Sequence, residues 1–467
     1  MRDYDVAIIG AGPAGMSAAC QAAELGLSVV LMDEQPRAGG QIYRNVGAAS
    51  RGRLDWLGPD YARGRTLVER LAIAQGVSHL TSATVWDVSP TLAVSYLLDG
   101  RAAQCRAKHL IVATGAMERP SPLPGWTLPG VMNAGAAQIM MKVGGAVPEG
   151  RIVLVGGGPL LYLVAVQLLD AGAQVAALVE TSPPQNRKHA LRHLMGALRA
   201  PGYLIKGMRL LTRIRRAGVA HHFADGEVTI EGGNTAEAVA FKAGGKAQRI
   251  GADTVLLHHG VIPNVQLTRM LRLEHDWDTR QLAWRPRCDA YGVSSHEAIS
   301  VTGDGAGIGG ARAAECSGAL AALGAACRLG VIDTSALQAQ AAPLQAEHQA
   351  QLRIRPFLDT LYRPPEWLLT PTDDTIVCRC EEVTAGQIRE MARLGCNGPN
   401  QTKFFSRSGM GPCQGRMCGV TVAQLIAQSR GVPIEAAGYY RIRPPLKPVP
   451  LAALASMDAP PQPAQGR

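Results

Sequence analysis

Aromatic side chains are scarce, at 4% of the chain. A nucleic-acid surface would interleave them with basic residues, and the most basic stretch, Asn186 to Arg216, shows no such interleaving. That stretch also lacks any carboxylate. A solvated face of a helix and a following strand is the plain reading; contact with an acidic protein partner or a nucleotide phosphate is the alternative. No apolar run reaches the ~18 residues of a membrane span, and runs such as Leu110 to Ala113 read as short buried strands. Met1-Arg2-Asp3-Tyr4-Asp5 carries two acids and no cleavage site, which argues against a signal peptide. Ten cysteines in 467 residues make no disulfide framework, which fits a reducing cytoplasm. Cys20, Cys105, Cys288, Cys316 and Cys327 are isolated, so no redox dithiol is formed among them. Each reads as a small buried apolar residue.

Length and an apolar content of 47% predict two or three well-filled domains. Asp5-Val6-Ala7-Ile8-Ile9 reads as a buried parallel strand. It runs into Gly10-Ala11-Gly12-Pro13-Ala14-Gly15, and Met16 to Leu25 reads as a helix. Gly10 permits the tight turn, Gly12 lets backbone approach a pyrophosphate, and Gly15 lets helix pack on strand. The helix N-terminus offers free N–H groups to phosphates. A second strand, Ser28 to Met32, ends at Asp33, placed to accept from an adenosine ribose; Glu34 takes that role if the register shifts by one. Gly39-Gly40-Gln41 resembles the loop that approaches the flavin in FAD proteins. Ala113-Thr114-Gly115 resembles their crossover segment, and Val301-Thr302-Gly303-Asp304 their second flavin signature. Those three point to FAD. Pro13, Ala14 and Val85 complete the candidate cofactor-binding set.

A second nucleotide fold is predicted from Arg151. Strand Ile152 to Val155 is followed by Gly156 and Gly158, but Leu161 stands where the third glycine belongs and is expected to crowd the helix–strand contact. Glu180 closes the next strand one residue late. The expectation is a retained scaffold without NAD(P); Arg187 and Lys188 are the residues that would meet a 2′-phosphate.

Cys378, Cys380, Cys413 and Cys418 gather near the C-terminus, as a CxC and a CxxxxC pair. Four thiolates suit a soft metal, and a [2Fe–2S] cluster takes four. Structural zinc is the first rival, although its sites favour CxxC pairs. Free thiols are the second. Cys396, between the pairs, reads as a packing residue. The text Arg407-Ser408-Gly409-Met410-Gly411-Pro412-Cys413-Gln414-Gly415 resembles the bacterioferritin-associated ferredoxin domain, which carries a [2Fe–2S] cluster.

The segment Ala113 to Pro120, continuing through Pro124-Gly125-Trp126-Thr127-Leu128-Pro129-Gly130-Val131, resembles the flavoprotein subunits of multisubunit dehydrogenases of amino and imino acids. That group includes hydrogen cyanide synthase, opine oxidases, proline and hydroxyproline dehydrogenases and sarcosine oxidase. The resemblance extends to Gly303 to Gly310, the cysteine segment, and Tyr440-Arg441-Ile442-Arg443-Pro444-Pro445. It implies an α/β glutathione-reductase-like flavoprotein with two Rossmann-like domains and a small α-rich [2Fe–2S] domain. The expected division is FAD domain 1–148, second Rossmann-like domain 149–285, FAD return 286–330, helical linker 331–370, cluster domain 371–432 and Pro-rich tail 433–467. Within the return, Ala314 to Leu329 reads as an Ala-rich helix, and Pro444 to Arg467 is expected to wrap a neighbour or dangle.

The resemblance further implies an electron-relaying subunit. The amine (hydroxyproline, proline or an opine) is oxidised on a smaller glycine-oxidase-like FAD subunit, with a quinone or other acceptor taking the electrons. Further options are a small ferredoxin-like subunit, FMN at an interface between subunits, and a peripheral place at the inner membrane. Some relatives hold NAD or ATP in the first site. No catalytic acid or base is named from the sequence. His258 and His259 read as a structural turn, with proton donation near a flavin as the alternative. The rival readings are a self-contained NAD(P)H-dependent reductase and a zinc-containing binding or regulatory protein with a relic flavin fold.

Overall fold

The computed structural model describes residues 2–457. Strand Arg2–Ile9 grows more buried along its length and passes through the glycine turn into helix Pro13–Glu24. The helix starts at Pro13, earlier than the sequence suggested, because proline suits the first helical position, where no N–H is needed. The parallel sheet around it runs Val77–Leu80, Val29–Met32, Arg2–Ile9, Arg101–Val112. Strand Arg101–Val112 is long enough for two further partners. Its first half pairs antiparallel with Ala93–Leu98, and its end pairs parallel with the late strand Ile299–Val301. That pairing returns the chain from far along the sequence to the first sheet.

Helix Ala311–Arg328 follows and packs against Pro13–Glu24 with almost no side chain between them. A Cβ on Gly318 would lie 2.1 Å from the Ala14 carbonyl oxygen. The abundance of Ala and Gly therefore acts through close backbone approach, with the cluster of buried side chains around it forming one core.

The second sheet is wholly parallel, in the order Ala220–Phe223, Val175–Glu180, Ile152–Gly156, Thr254–His258, Val131–Asn133. Its edge strand thus comes from before residue 149, and helix Ala134–Gly144 packs on this layer too. A three-stranded antiparallel sheet, Thr229–Glu231, Ala238–Ala243 and Lys246–Gly251, covers one side. The carboxylate-free stretch is helical, from Pro184–Ala190 to Pro201–Arg216. A two-stranded ribbon of Ala116–Glu118 and Val261–Pro263 joins the two halves.

Beyond helices Thr334–Leu352 and Arg355–Leu361 lies a small module. It contains strands Ile376–Cys378 and Val383–Thr384 and helices Ala385–Arg393, Pro399–Ser406 and Gly419–Arg430. The first of these helices opens on a capping box, Thr384 with Gln387. The following segment wraps its own first domain: the Leu446 N–H donates to the Trp86 carbonyl at 2.8 Å, and a short helix Leu451–Ala455 follows. The last part of the expected Pro-rich tail, 458–467, lies outside the described residues. Among the described residues no helix is long and apolar enough to cross a membrane.

Candidate functional site

The first fingerprint has no room for side chains. Gly10 takes φ +106°, and a Cβ there would meet the Ala113 carbonyl oxygen at 2.4 Å, which brings the Ala113–Thr114–Gly115 triplet against the glycine turn. A Cβ on Gly40 would sit 2.6 Å from Gly12 Cα, so the Gly39–Gln41 loop closes over the same spot. These groups form one wall of a cavity of about 1410 Å³ that also runs along Gly157, Gly158 and helix Pro201–Arg216. Typical small-molecule pockets hold ~300–1,000 Å³, so an extended dinucleotide has space. The residues chosen for the first site line it except Gly15 and Gly39, whereas Gly156, Glu180, Arg187 and Lys188 of the second fold do not. Gly15 sits at the helix–strand contact instead, where a Cβ would lie 1.8 Å from the Gly10 carbonyl oxygen.

Asp33 is buried at the strand end. Its Oδ2 accepts from the Ala11 N–H (2.6 Å) and its Oδ1 from the Gln35 N–H (2.8 Å), so it braces the glycine loop. Glu34 lines the cavity beside it. At the far end Asp304 Oδ1 accepts from the N–H groups of Gly309 (2.8 Å) and Gly310 (2.9 Å), tightening the turn before the long helix. Three buried polar atoms in the cavity wall, His259 Nε2, Asn264 Oδ1 and Gln266 Oε1, have no partner among the described residues. Buried polar groups ordinarily find partners, so these fit a polar ligand in the cavity. Space, glycine-backed floor and unpaired polar atoms together fit FAD.

The second fingerprint is built as well, and its Gly157 and Gly158 line the same cavity. Gly156 takes φ +139°, with the His258 carbonyl oxygen 1.8 Å from where its Cβ would stand. Leu161 is fully buried, and the helix starts at Pro159. Glu180, the ribose acceptor by position, takes a 2.6 Å hydrogen bond from the Tyr162 hydroxyl and lies 3.3 Å from His221 Nε2. The Tyr362 ring packs edge-on to Tyr162 at 6.0 Å, brought there by Asn186 Nδ2 donating to the Arg363 carbonyl at 2.9 Å.

Between the two halves, His258 Nδ1 stands 2.6 Å from Glu118 Oε1, and Glu118 Oε2 accepts from the Gly135 N–H at 2.8 Å. His259 Nδ1 pairs with Ser121 Oγ at 2.8 Å, and burial pushes this imidazole down to about 3, so it is neutral. Both histidines line the cavity. Sequence reading missed Glu118 in this role. Its partner is 140 residues away, and no local pattern marks it. Lys142 was missed as well. It is buried, donates to the Gln41 carbonyl (3.0 Å) and Gln138 Oε1 (2.7 Å), and is pushed down to about 7 by burial. It therefore props the Gly39–Gln41 loop from behind.

The four C-terminal cysteines meet as two pairs, Cys378 with Cys418 and Cys380 with Cys413. Among the described residues no group of three or more His, Cys, Asp and Glu side chains stands in metal-holding geometry. The Cys378 thiol is held down to about 6, first by a hydrogen bond from Cys418 and then, against burial, by backbone donors including the Gly409 N–H at 3.4 Å. The loop is packed so tightly that a Cβ on Gly411 would lie 2.2 Å from Cys380 Cβ, and one on Gly409 or Gly415 would strike the Tyr440 ring at 2.5 Å. Two thiol pairs, one of them with Cys378 pushed towards thiolate and a Gly409 N–H aimed at its sulfur, match an iron–sulfur centre in donor type, while burial and the neighbouring thiols push Cys380 and Cys418 the other way. Cys396 is buried. Two members of the cysteine loop, Arg416 and Met417, form part of the wall of the nucleotide cavity.

The profile of the pyridine nucleotide-disulphide oxidoreductase family matches residues 4–326, and that of the sarcosine oxidase A3 domain matches residues 372–457. The A subunit of opine oxidase from Rhizobium meliloti is 46% identical over 464 residues, spanning 97% of this chain and 88% of that protein. The HcnB subunit of hydrogen cyanide synthase from Pseudomonas protegens is 32% identical over 471 residues, spanning 97% of each. Among solved structures, L-proline dehydrogenase from P. horikoshii has a TM-score of 0.68 at 19% identity, covering 97% of this chain and 79% of that one, which shows the fold alone. The chain belongs to the pyridine nucleotide-disulphide oxidoreductase family and, within it, to the flavoprotein subunits related to HcnB and to the opine oxidase component. It is an FAD-dependent oxidoreductase of mixed α/β fold.

Proposed function

We propose that this chain is the electron-relaying subunit of a heteromeric amine dehydrogenase, with an opine, proline or D-hydroxyproline oxidised on a smaller, glycine-oxidase-like FAD subunit. The observation that carries the reading is the shared wall. Arg416 and Met417 belong to the Cys413–Cys418 loop and also face the nucleotide cavity, and Gln266 Nε2 donates to the Gln414 carbonyl at 3.4 Å. FAD and a [2Fe–2S] cluster, when bound, supply the conversion between two-electron and one-electron transfer. The chain's own residues supply position. Gly10, Gly12 and the N-terminus of the first helix receive the pyrophosphate, Gly40, Gln41, Thr114 and Gly115 frame the flavin, and Asp304 receives the ribityl chain. Cys378, Cys380, Cys413 and Cys418 hold the iron.

Glu180 is buried and already takes the Tyr162 hydroxyl, which weakens it as a ribose acceptor, so NAD(P) is not expected at the second fold. That weighs against a self-contained NAD(P)H reductase. The carboxylate-free helices support a protein partner: Met195 is 66% exposed, Leu198 53% and Met208 59%, among Arg192, Arg199 and Arg209. Exposed Met and Leu ringed by Arg suit an interface with an acidic-rimmed partner. A quinone or other carrier is the acceptor.

The test is anaerobic mixing of the full chain with each reductant. The proposal expects visible bleaching by proline or an opine only when the small subunit is present, and none by NADH. Bleaching by NADH alone, or full amine oxidation by this chain alone, would overturn it.

A further inference from the structure

The C-terminal strap reaches the adenosine end of the first nucleotide site, a connection no fingerprint residue announces. The Leu446 N–H donates to the Trp86 carbonyl at 2.8 Å, and the Leu446 side chain is buried under the first sheet with Val30 and Met32. That anchor carries Lys447 to Glu34, with which it forms an ion pair. Leu446 and Lys447 both line the nucleotide cavity, on the side where Asp33, Glu34 and Val85 stand.

Asp33 already accepts one backbone N–H at each oxygen and, as a carboxylate, has no proton to donate to a ribose. The Glu34–Lys447 pair supplies what is missing. A ribose cis-diol presents hydroxyls that both donate and accept. A carboxylate only accepts, and an ammonium only donates, with three hydrogens of which Glu34 uses one. We propose that Lys447 is a nucleotide-binding residue of the first site, donating to the adenosine ribose while Glu34 accepts from it. This rests on the reading of that site as an adenine-dinucleotide site.

The same strap is tied to the cysteine loop. Gln414 Nε2 donates to the Pro445 carbonyl at 2.7 Å, and Arg416 Nη2 to the Leu446 carbonyl at 3.3 Å. The segment that carries Lys447 is thus hydrogen-bonded to the cysteine loop as well.

The experiment uses the full chain, stripped of nucleotide and titrated with FAD, ADP and FMN. Lys447→Ala is expected to weaken FAD and ADP by the same factor, about tenfold for a lost charge-assisted contact, and to leave FMN, which has no adenosine, unchanged. Lys447→Arg is expected to restore most of the affinity. Iron content and unfolding midpoint should match the wild type in both. FAD affinity unchanged in Lys447→Ala would overturn the assignment alone. A wild-type chain that binds neither FAD nor ADP would overturn both the assignment and the reading of the site beneath it.

Discussion

Replacing Trp126 should loosen the cysteine module from the rest of the molecule. Trp126 belongs to the Pro-Gly-Trp segment, is 3% exposed, and packs among Leu123, Val131, Ile230 and Leu368. Its Nε1 donates to the Ile376 carbonyl at 2.7 Å, and Ile376 opens the strand that ends at Cys378. Arg379 lies over the ring, 5.8 Å from its centre. Trp126→Phe keeps most of the apolar volume but removes the donor. The loss should be about 1 kcal/mol, rising to ~3 if the Ile376 carbonyl stays buried without a partner. Trp126→Ala also opens a cavity and should cost about 3–5 kcal/mol. Denaturant unfolding would be followed twice, by far-ultraviolet dichroism for the whole chain and by visible absorption for the cysteine module. The module signal should be lost at lower denaturant in both variants, more so in the alanine one. If both variants keep it within ~0.5 kcal/mol of the wild type, the Trp126–Ile376 bond is not what holds the module in place.

Serine at Cys378, Cys380, Cys413 or Cys418 should each lower bound iron in anaerobically prepared protein, while Cys396→Ser should leave it intact; equal iron in all five would dismiss the ligand set. Tyr162→Phe removes a hydrogen bond from the buried Glu180 carboxylate and should cost about 1–3 kcal/mol in denaturant unfolding, since the group left behind cannot reach water; no loss would mean that Glu180 is satisfied elsewhere. Acid should destabilise the fold through its buried histidines. His109, His259 and His275 are pushed down from 6.5 to about 4, 3 and 3, chiefly by burial, so the unfolded chain binds protons the native one refuses. Their contribution is complete above the unfolded value and is lost as pH falls from there towards about 4 and 3, at roughly 1.4 kcal/mol per pH unit for each histidine. His259→Asn should flatten that slope, and an unchanged slope would remove His259 from the account.

The sequence announced what is local. Strand, glycine turn, helix and acid follow one another within Arg2–Asp33, so backbone geometry alone dictates the first fingerprint. The early starts of helices Pro13–Glu24 and Ala311–Arg328 were misjudged because apolar periodicity marks the body of a helix better than its ends. Leu161, the departure from the glycine pattern in the second fold, is taken up as a buried core side chain. Contacts formed by folding were beyond reach. Trp126 and Ile376 are 250 residues apart, Glu118 and His258 140. Their pairing depends on how the two sheets and the module dock, which no window of sequence contains. The cysteine spacing was legible, but its nearness to the nucleotide cavity was not, because Arg416 and Met417 face that cavity only once the module has docked.

Electron relay by this chain requires a sulfur-bound iron centre lying within electron-transfer distance of a bound flavin. Anaerobic reductive titration of the full chain, read together by visible absorption and electron paramagnetic resonance, tests this most directly. Stoichiometric iron and FAD, with signals that change together as electrons are added, are the expected result. Protein carrying zinc in place of iron, or iron whose signal never responds to reduction of the flavin, would contradict it.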